Sequence, residues 1–122
     1  MAAKILVVDD EPSIVKLVEA TLSSRGYEIF KAYDGQEAIV EAKLHKPDLI
    51  LLDVMMPHMD GREARKRLMA DPATKDIPVM MLTAKTQAAE ERAGHEAGAV
   101  GYINKPFTPK DLVAQMREFL GE

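Results

Sequence analysis

The chain contains no cysteine. That excludes a disulfide scaffold, a thiolate-bound metal and a thiol nucleophile, and it fits a reducing compartment, with the cytoplasm as the expected location. No apolar stretch approaches the roughly 20 residues needed to span a bilayer, and Met1-Ala2-Ala3-Lys4 leads straight into a short β-branched run. Neither export nor a membrane partner is indicated. Positive charge is also scarce: 16 Lys and Arg stand against 20 Asp and Glu, a net of -4, the wrong sign for counterion release from nucleic acid. The one basic cluster, Arg62 to Arg67, is broken by Glu63 and Ala64 and reads as a solvated helix face. His45, His58 and His95 are too scattered to suggest a metal site. A glycine-rich phosphate loop is missing after the first apolar run. Asp9-Asp10-Glu11-Pro12 stands there instead, and would meet a phosphate cofactor with negative charge.

What is present is the content of one globular domain. The 122 residues, 47% hydrophobic and 30% charged, suit a single core. Apolar runs of strand length alternate with stretches of helical period, the pattern of an α/β fold with a parallel sheet covered on both faces. The strand candidates are Ile5-Leu6-Val7-Val8, Glu28 to Ala32, Leu49-Ile50-Leu51-Leu52, Val79-Met80-Met81-Leu82 and Gly101-Tyr102-Ile103-Asn104. The first, third and fourth are continuously apolar, as strands buried on both faces should be. Ile14, Leu17, Val18 and Leu22 share one helical face; Leu112, Met116, Phe119 and Leu120, with Val113 beside them, share another. Pro12 and Gly26 bracket the first helix, Thr108-Pro109-Lys110-Asp111 reads as a capping box, and Asp34-Gly35 reads as a turn. The helix expected between the fourth and fifth strands has only Ala89, Ala93 and Ala97 on its inner face, little apolar area with which to hold its place. The stretch from Ala70 to Pro78 is a loop rather than a linker. Residues 1–122 are therefore expected to form one domain, with no output domain in this chain.

Open parallel sheets place their ligand sites at the carboxyl ends of the strands. There Val8 is followed by Asp9 and Asp10, Leu52 by Asp53, Leu82 by Thr83, and Ile103-Asn104 by Lys105. Each has an ordinary reading: strand-end acids often cap the next helix, and Asp10 is placed to do so. Together they bring three carboxylates, a hydroxyl and an ammonium to one edge. Clustered carboxylates repel one another, and an oxygen-seeking cation such as Mg²⁺ is the natural remedy. A carboxylate beside such a cation can act as a nucleophile toward a phosphoryl group.

Asp9-Asp10-Glu11-Pro12, Asp53-Val54-Met55-Met56-Pro57 with Asp60-Gly61, Thr83-Ala84 and Lys105-Pro106-Phe107 together resemble the response-regulator receiver domain of two-component signalling, over Lys4 to about Leu120. The resemblance implies a doubly wound, flavodoxin-like (βα)5 sandwich with the parallel sheet in the order 2-1-3-4-5. It implies that Asp53 accepts the phosphoryl group, and that Asp9, Asp10, Asp53 and the backbone carbonyl of Met55 hold Mg²⁺. Thr83 and Lys105 then engage the phosphoryl group, Thr83 and Tyr102 form the switch, and Met55 and Lys85 tune the lifetime of the modified state. The implied donor is a histidine kinase or histidine phosphotransfer protein. A downstream protein target and a phosphorylation-dependent homodimer are further possibilities. A cis Lys105-Pro106 bond belongs to the same resemblance. One departure is visible: Gly98-Ala99-Val100-Gly101 precedes Tyr102 where many receivers carry acids.

Three alternatives carry less support. An aspartyl-phosphate phosphatase needs a second acid two residues after the nucleophile, and Met55 has no proton to give. A flavodoxin-like cofactor binder lacks its phosphate loop. A phospho-independent interaction module, a pseudo-receiver, would not need the complete set of acids, Thr83 and Lys105. The chain is thus expected to be a phospho-accepting signalling switch rather than an enzyme acting on a separate substrate.

Overall fold

The structure is a computed structural model that describes residues 3–84, 99–105 and 107–120. Lys85, Pro106 and the alanine-faced helix expected around Ala89, Ala93 and Ala97 lie outside the described residues. Within them, five strands form one parallel sheet: β1 (Lys4–Val8), β2 (Glu28–Ala32), β3 (Leu49–Asp53), β4 (Val79–Ala84) and β5 (Ala99–Lys105). Their order is β2-β1-β3-β4-β5, as the resemblance implied. Four described helices follow the strands: α1 (Pro12–Ser23), α2 (Gly35–His45), α3 (Gly61–Ala70) and α4 (Pro109–Leu120).

Strand pleating divides the core into two layers. Ile5 and Val7 of β1, Leu49 and Leu51 of β3 and Met80 and Leu82 of β4 face Val15, Val18 and Leu22 of α1 and Leu112 and Met116 of α4. The alternate residues Leu6, Val8, Ile50, Leu52, Val79 and Met81 face Ala38 and Ala42 of α2 and Ala64 and Leu68 of α3. Each large side chain buried this way contributes about 1.5–3 kcal/mol. The seam of α1 runs along Val15, Val18 and Leu22, with Ile14 and Leu17 only partly covered. Of the expected face, Val18 and Leu22 are buried and Ile14 and Leu17 lie at its edge, while Val15, which that face left out, is buried. β5 begins two residues earlier than expected, with Val79 paired to Ala99 but Met80 to Gly101. Val100 is the extra residue of a bulge, which period-2 patterning does not register.

The helix ends follow local chemistry. Tyr27 N–H donates to the Leu22 carbonyl (3.2 Å) and Gly26 N–H to that of Ser23 (3.0 Å), a Schellman closure with Gly26 at φ +94°. In the capping box of α4, Thr108 N–H donates to Asp111 Oδ2 (3.0 Å) and Asp111 N–H to Thr108 Oγ1 (3.1 Å). Asp34-Gly35 is not the tight turn expected. Asp34 accepts the Glu37 N–H at 2.8 Å as the N-cap of α2, and Gly35 is the first helical residue. The expected turn lost to a helix start because an Asp in extended conformation satisfies free helix donors. The Arg62–Arg67 cluster does lie on the outer face of α3, where Arg67 pairs with Glu63 at 2.9 Å.

Two glycines are required for different reasons. A Cβ at Gly26 would meet nothing but would have to adopt a left-handed backbone, whereas a Cβ at Gly61 would collide with the backbone carbonyl of Asp53. Gly26→Ala is expected to cost about 1–2 kcal/mol. Gly61→Ala should cost as much or more, about 1–3 kcal/mol from overpacking, because backbone cannot move aside as a side chain can. Urea unfolding of both variants measures this; a Gly61→Ala protein as stable as the parent would show that α3 does not press on β3.

Candidate functional site

The same pleat that builds the core places the polar residues. Asp9 continues the face of Ile5 and Val7, Asp53 that of Leu49 and Leu51, and Lys105 that of Ile103. All three therefore stand on one face at the carboxyl end of the sheet. Because β1 and β3 are neighbours, with Val8 beside Leu52, the acids that end them meet. Asp9 and Asp53 are 0% and 3% exposed; Asp10 is exposed. One carboxylate oxygen from each of the three lies within 4.8 Å of the others.

Lys105 answers this charge. Its Nζ lies 2.6 Å from Asp9 Oδ2 and 3.1 Å from Asp53 Oδ1, with Glu11 Oε1 at 3.6 Å. The contact to Asp53 is a hydrogen bond. That to Asp9 Oδ2 is close but badly directed, so this buried oxygen has charge compensation and no hydrogen bond. Asp9 Oδ1 accepts the Glu11 N–H at 3.0 Å. Asp10 does not cap α1: the N-cap of that helix is Glu11, which makes no side-chain cap bond. Asp10 is thus left for the acid cluster.

Burial, then the charge of Asp9, pushes the Asp53 carboxyl up to about 7 against the pull of Lys105. Burial likewise raises Asp9. Burial alone would lower Lys105, but the close negative charges of Asp9 and Asp53 and its hydrogen bond to Asp53 prevail and hold it above its ordinary value. With all groups ionised, three carboxylates face one ammonium, a surplus of two negative charges. A cation with oxygen ligands fits this donor set, and the badly satisfied Asp9 oxygen fits a ligand role.

The segment after β3 is held tightly. Val54 N–H donates to the Leu82 carbonyl (3.0 Å), Gly61 N–H to the Val54 carbonyl (2.8 Å), and Met59 N–H to the Pro57 carbonyl (2.7 Å) across His58, whose φ is +68°. Asp60 caps α3 through the Glu63 N–H at 2.9 Å. A non-glycine residue at positive φ stores strain, and here it lies in the segment that joins β3 to α3. In this segment Met55 is 61% exposed. Of the other residues named from sequence, Thr83 pairs with Asn104 and Tyr102 with Met81 in the β4–β5 register. Their side chains, like Lys85, lie outside the described set. Two participants had no role assigned from sequence. Glu11 was visible only as part of the acidic run, and Gly61 only as the partner of Asp60; their closeness to Lys105 and Asp53 arises from tertiary packing.

Residues 5–117 match the family described as the response regulator receiver domain. The chain is 45% identical over 120 residues to the alkaline phosphatase synthesis transcriptional regulatory protein PhoP of Bacillus subtilis, covering 98% of this chain and 49% of that protein. It is 45% identical over 116 residues to the phosphate regulon transcriptional regulatory protein PhoB of Pseudomonas aeruginosa, covering 95% and 51%. The chain spans about half the length of these relatives. Among solved structures, the chemotaxis response regulator CheY4 of Vibrio cholerae superposes with a TM-score of 0.89 at 38% identity, covering 97% of this chain and 98% of that one. The receiver domain of sensor histidine kinase PA1611 of Pseudomonas aeruginosa, described with a magnesium ion coordinated in its active-site cleft, gives 0.86 at 30% identity, with both chains covered in full.

The raised Asp53 carboxyl gives a pH signature. Between its ordinary value of 3.8 and about 7, the folded metal-free protein keeps a proton that the unfolded chain has lost. Stability contributed by this group therefore falls as pH rises through that window. Chemical unfolding of metal-free protein from pH 4 to 8 should show the decline, Asp53→Asn should flatten it, and Mg²⁺ should restore stability at the upper end. An unchanged slope in Asp53→Asn would remove Asp53 as its source.

Proposed function

The chain belongs to the response regulator receiver domain family, and on that footing we propose that it works as a phosphorylation-dependent switch, with Asp53 accepting a phosphoryl group from phosphohistidine. The donor is a histidine kinase or a histidine phosphotransfer protein. The observation that carries this reading is the Asp53 carboxylate, buried at the carboxyl end of β3 beside Asp9 and 3.1 Å from Lys105 Nζ.

In the proposed reaction an Asp53 oxygen attacks phosphorus in line with the departing imidazole nitrogen. The O–P bond forms as the P–N bond breaks, and the bonding pair stays with the imidazole. Asp9, Asp10, Asp53 and the Met55 backbone carbonyl would hold Mg²⁺, which when bound neutralises phosphoryl charge. Lys105 is already within hydrogen-bond reach of Asp53, so it needs only a small movement to pair with a phosphoryl oxygen. Thr83 donates to another oxygen, and Tyr102 then turns, changing the surface that a downstream protein or a second copy recognises. Residues 1–122 act as one receiver unit, in the cytoplasm. Among the described residues no helix is long and apolar enough to cross a membrane. We assign no turnover of a separate substrate, because Met55 stands where a phosphatase keeps its second acid.

Incubation with acetyl phosphate should add one phosphoryl group, located at Asp53 by peptide mapping. The addition should depend on Mg²⁺ and be lost in Asp53→Asn. Modification elsewhere, or none at all, would overturn the assignment.

The phosphorylated state should be comparatively long-lived. Hydrolysis requires a water positioned in line with the bond to Asp53. Met55 offers only a weak thioether acceptor, and Lys85 carries an ammonium that cannot take a proton from water. Phosphoryl loss at saturating Mg²⁺ is expected to be about tenfold or more faster in Met55→Asn/Lys85→Glu than in the parent, within the range of general base assistance. A double variant no faster than the parent would place rate control elsewhere.

A further inference from the structure

Two adjoining cavities, about 330 and 550 Å³, lie between α1 and α4 and share Arg25, Val113 and Arg117. The first has an apolar floor of Leu22, Tyr27, Val113 and Met116. The second extends along α4 to Lys110. Leu22 closes α1 and Tyr27 precedes β2, so the first cavity lies toward the amino-terminal end of the sheet, away from Asp53.

The charge here runs against that of the molecule. The chain carries -4 overall, yet Arg25, Arg117 and Lys110 line this groove, and among the described residues no carboxylate lines either cavity. Several cations elsewhere are paired: Lys31 with Glu19, Lys43 with Asp71, Arg67 with Glu63 and Lys105 with its acids. The guanidinium groups of Arg25 and Arg117 have no hydrogen-bond or ion-pair partner among the described residues. Glu118, next to Arg117 in the chain, and Glu28, next to Tyr27, line neither cavity.

We propose that the α1–α4 groove is a docking site for an acidic peptide segment of a partner protein that carries one apolar anchor residue. The anchor fills the cavity floored by Leu22, Val113 and Met116, and flanking carboxylates pair with Arg25, Arg117 and Lys110. A guanidinium takes a carboxylate through two parallel N–H donors, which favours carboxylate over a diffuse polyanion. Charge complementarity and the two-part shape choose this occupant. A small carboxylate would fill one cavity and leave the other cations unpaired. A nucleic acid would gain nothing from the apolar floor and would meet the net negative charge of the chain.

The test uses the full chain and a fluorescent synthetic peptide of Glu, Asp and Ser with one central Phe, followed by anisotropy and by methyl NMR of Leu22, Val113 and Met116. Binding should shift these methyl signals and weaken with salt. Arg25→Gln/Arg117→Gln, both exposed changes, should weaken binding about tenfold or more through lost charge-assisted bonds, while leaving thermal unfolding and acetyl-phosphate labelling of Asp53 unchanged. Replacing Phe by Ser in the peptide should cause a similar loss. The proposal is overturned if the peptide fails to bind or if the arginine variant binds as well as the parent. It is equally overturned if the Phe-free peptide, a small aromatic carboxylate or a DNA oligonucleotide binds as tightly as the anchored peptide.

Discussion

A single ammonium group faces three clustered carboxylates, two of them buried, and the rest of the site is arranged around that imbalance. Asp9 and Asp53 are almost wholly enclosed, and Lys105 reaches both. Carboxylates are not left this way without a partner, because burial and mutual repulsion both raise the free energy of the charged forms. The surplus negative charge that remains is compatible with an oxygen-bound divalent cation.

Strand order creates that imbalance. Neighbouring β1 and β3 force their terminal acids together, and β5, two strands from β3, supplies a side chain long enough to reach back. The hydrophobic layers below act as a rigid support: Val7, Leu51 and Ile103, each two residues before a polar group of the site, are buried in one cluster. Displacing an acid therefore means disturbing the pleat beneath it. The segment from Val54 to Gly61 adds a second constraint, since α3 can approach the end of β3 only without a side chain at Gly61. The positive φ of His58 is tolerated because hydrogen bonds on both sides fix the segment's ends.

The two faces of the sheet are held differently. On the α1 and α4 side the helices bury valine, leucine and methionine. On the other side α2 buries chiefly Ala38 and Ala42 and is anchored by Asp34 at its start and by the left-handed Lys46 at its end, whose N–H donates to the Ala42 carbonyl at 2.9 Å. Small residues let α2 lie close to β1, and its caps contribute what its apolar area does not.

The amino-acid sequence by itself determined the strands, most helix ends and the identity of the acids. Continuous apolar runs can be buried only in a sheet covered on both faces, and Pro12, Gly26 and the Thr108–Asp111 box act within one turn of chain. The site was legible for the same reason, because Asp9, Asp10, Asp53 and Lys105 all stand within two residues of the end of an apolar run. Effects that act between distant segments were not legible. Val100 became a bulge only when β5 had to match β4, and Glu11 entered the reach of Lys105 only when the sheet set the ends of β1 and β5 on one edge, with β3 and β4 between them. Burial decided the electrostatics as well: a carboxylate next to an apolar run has an ordinary affinity for protons until the fold removes its water and sets a second acid beside it. Local pattern names the groups, and only tertiary packing fixes how far apart they stand and how much solvent they keep.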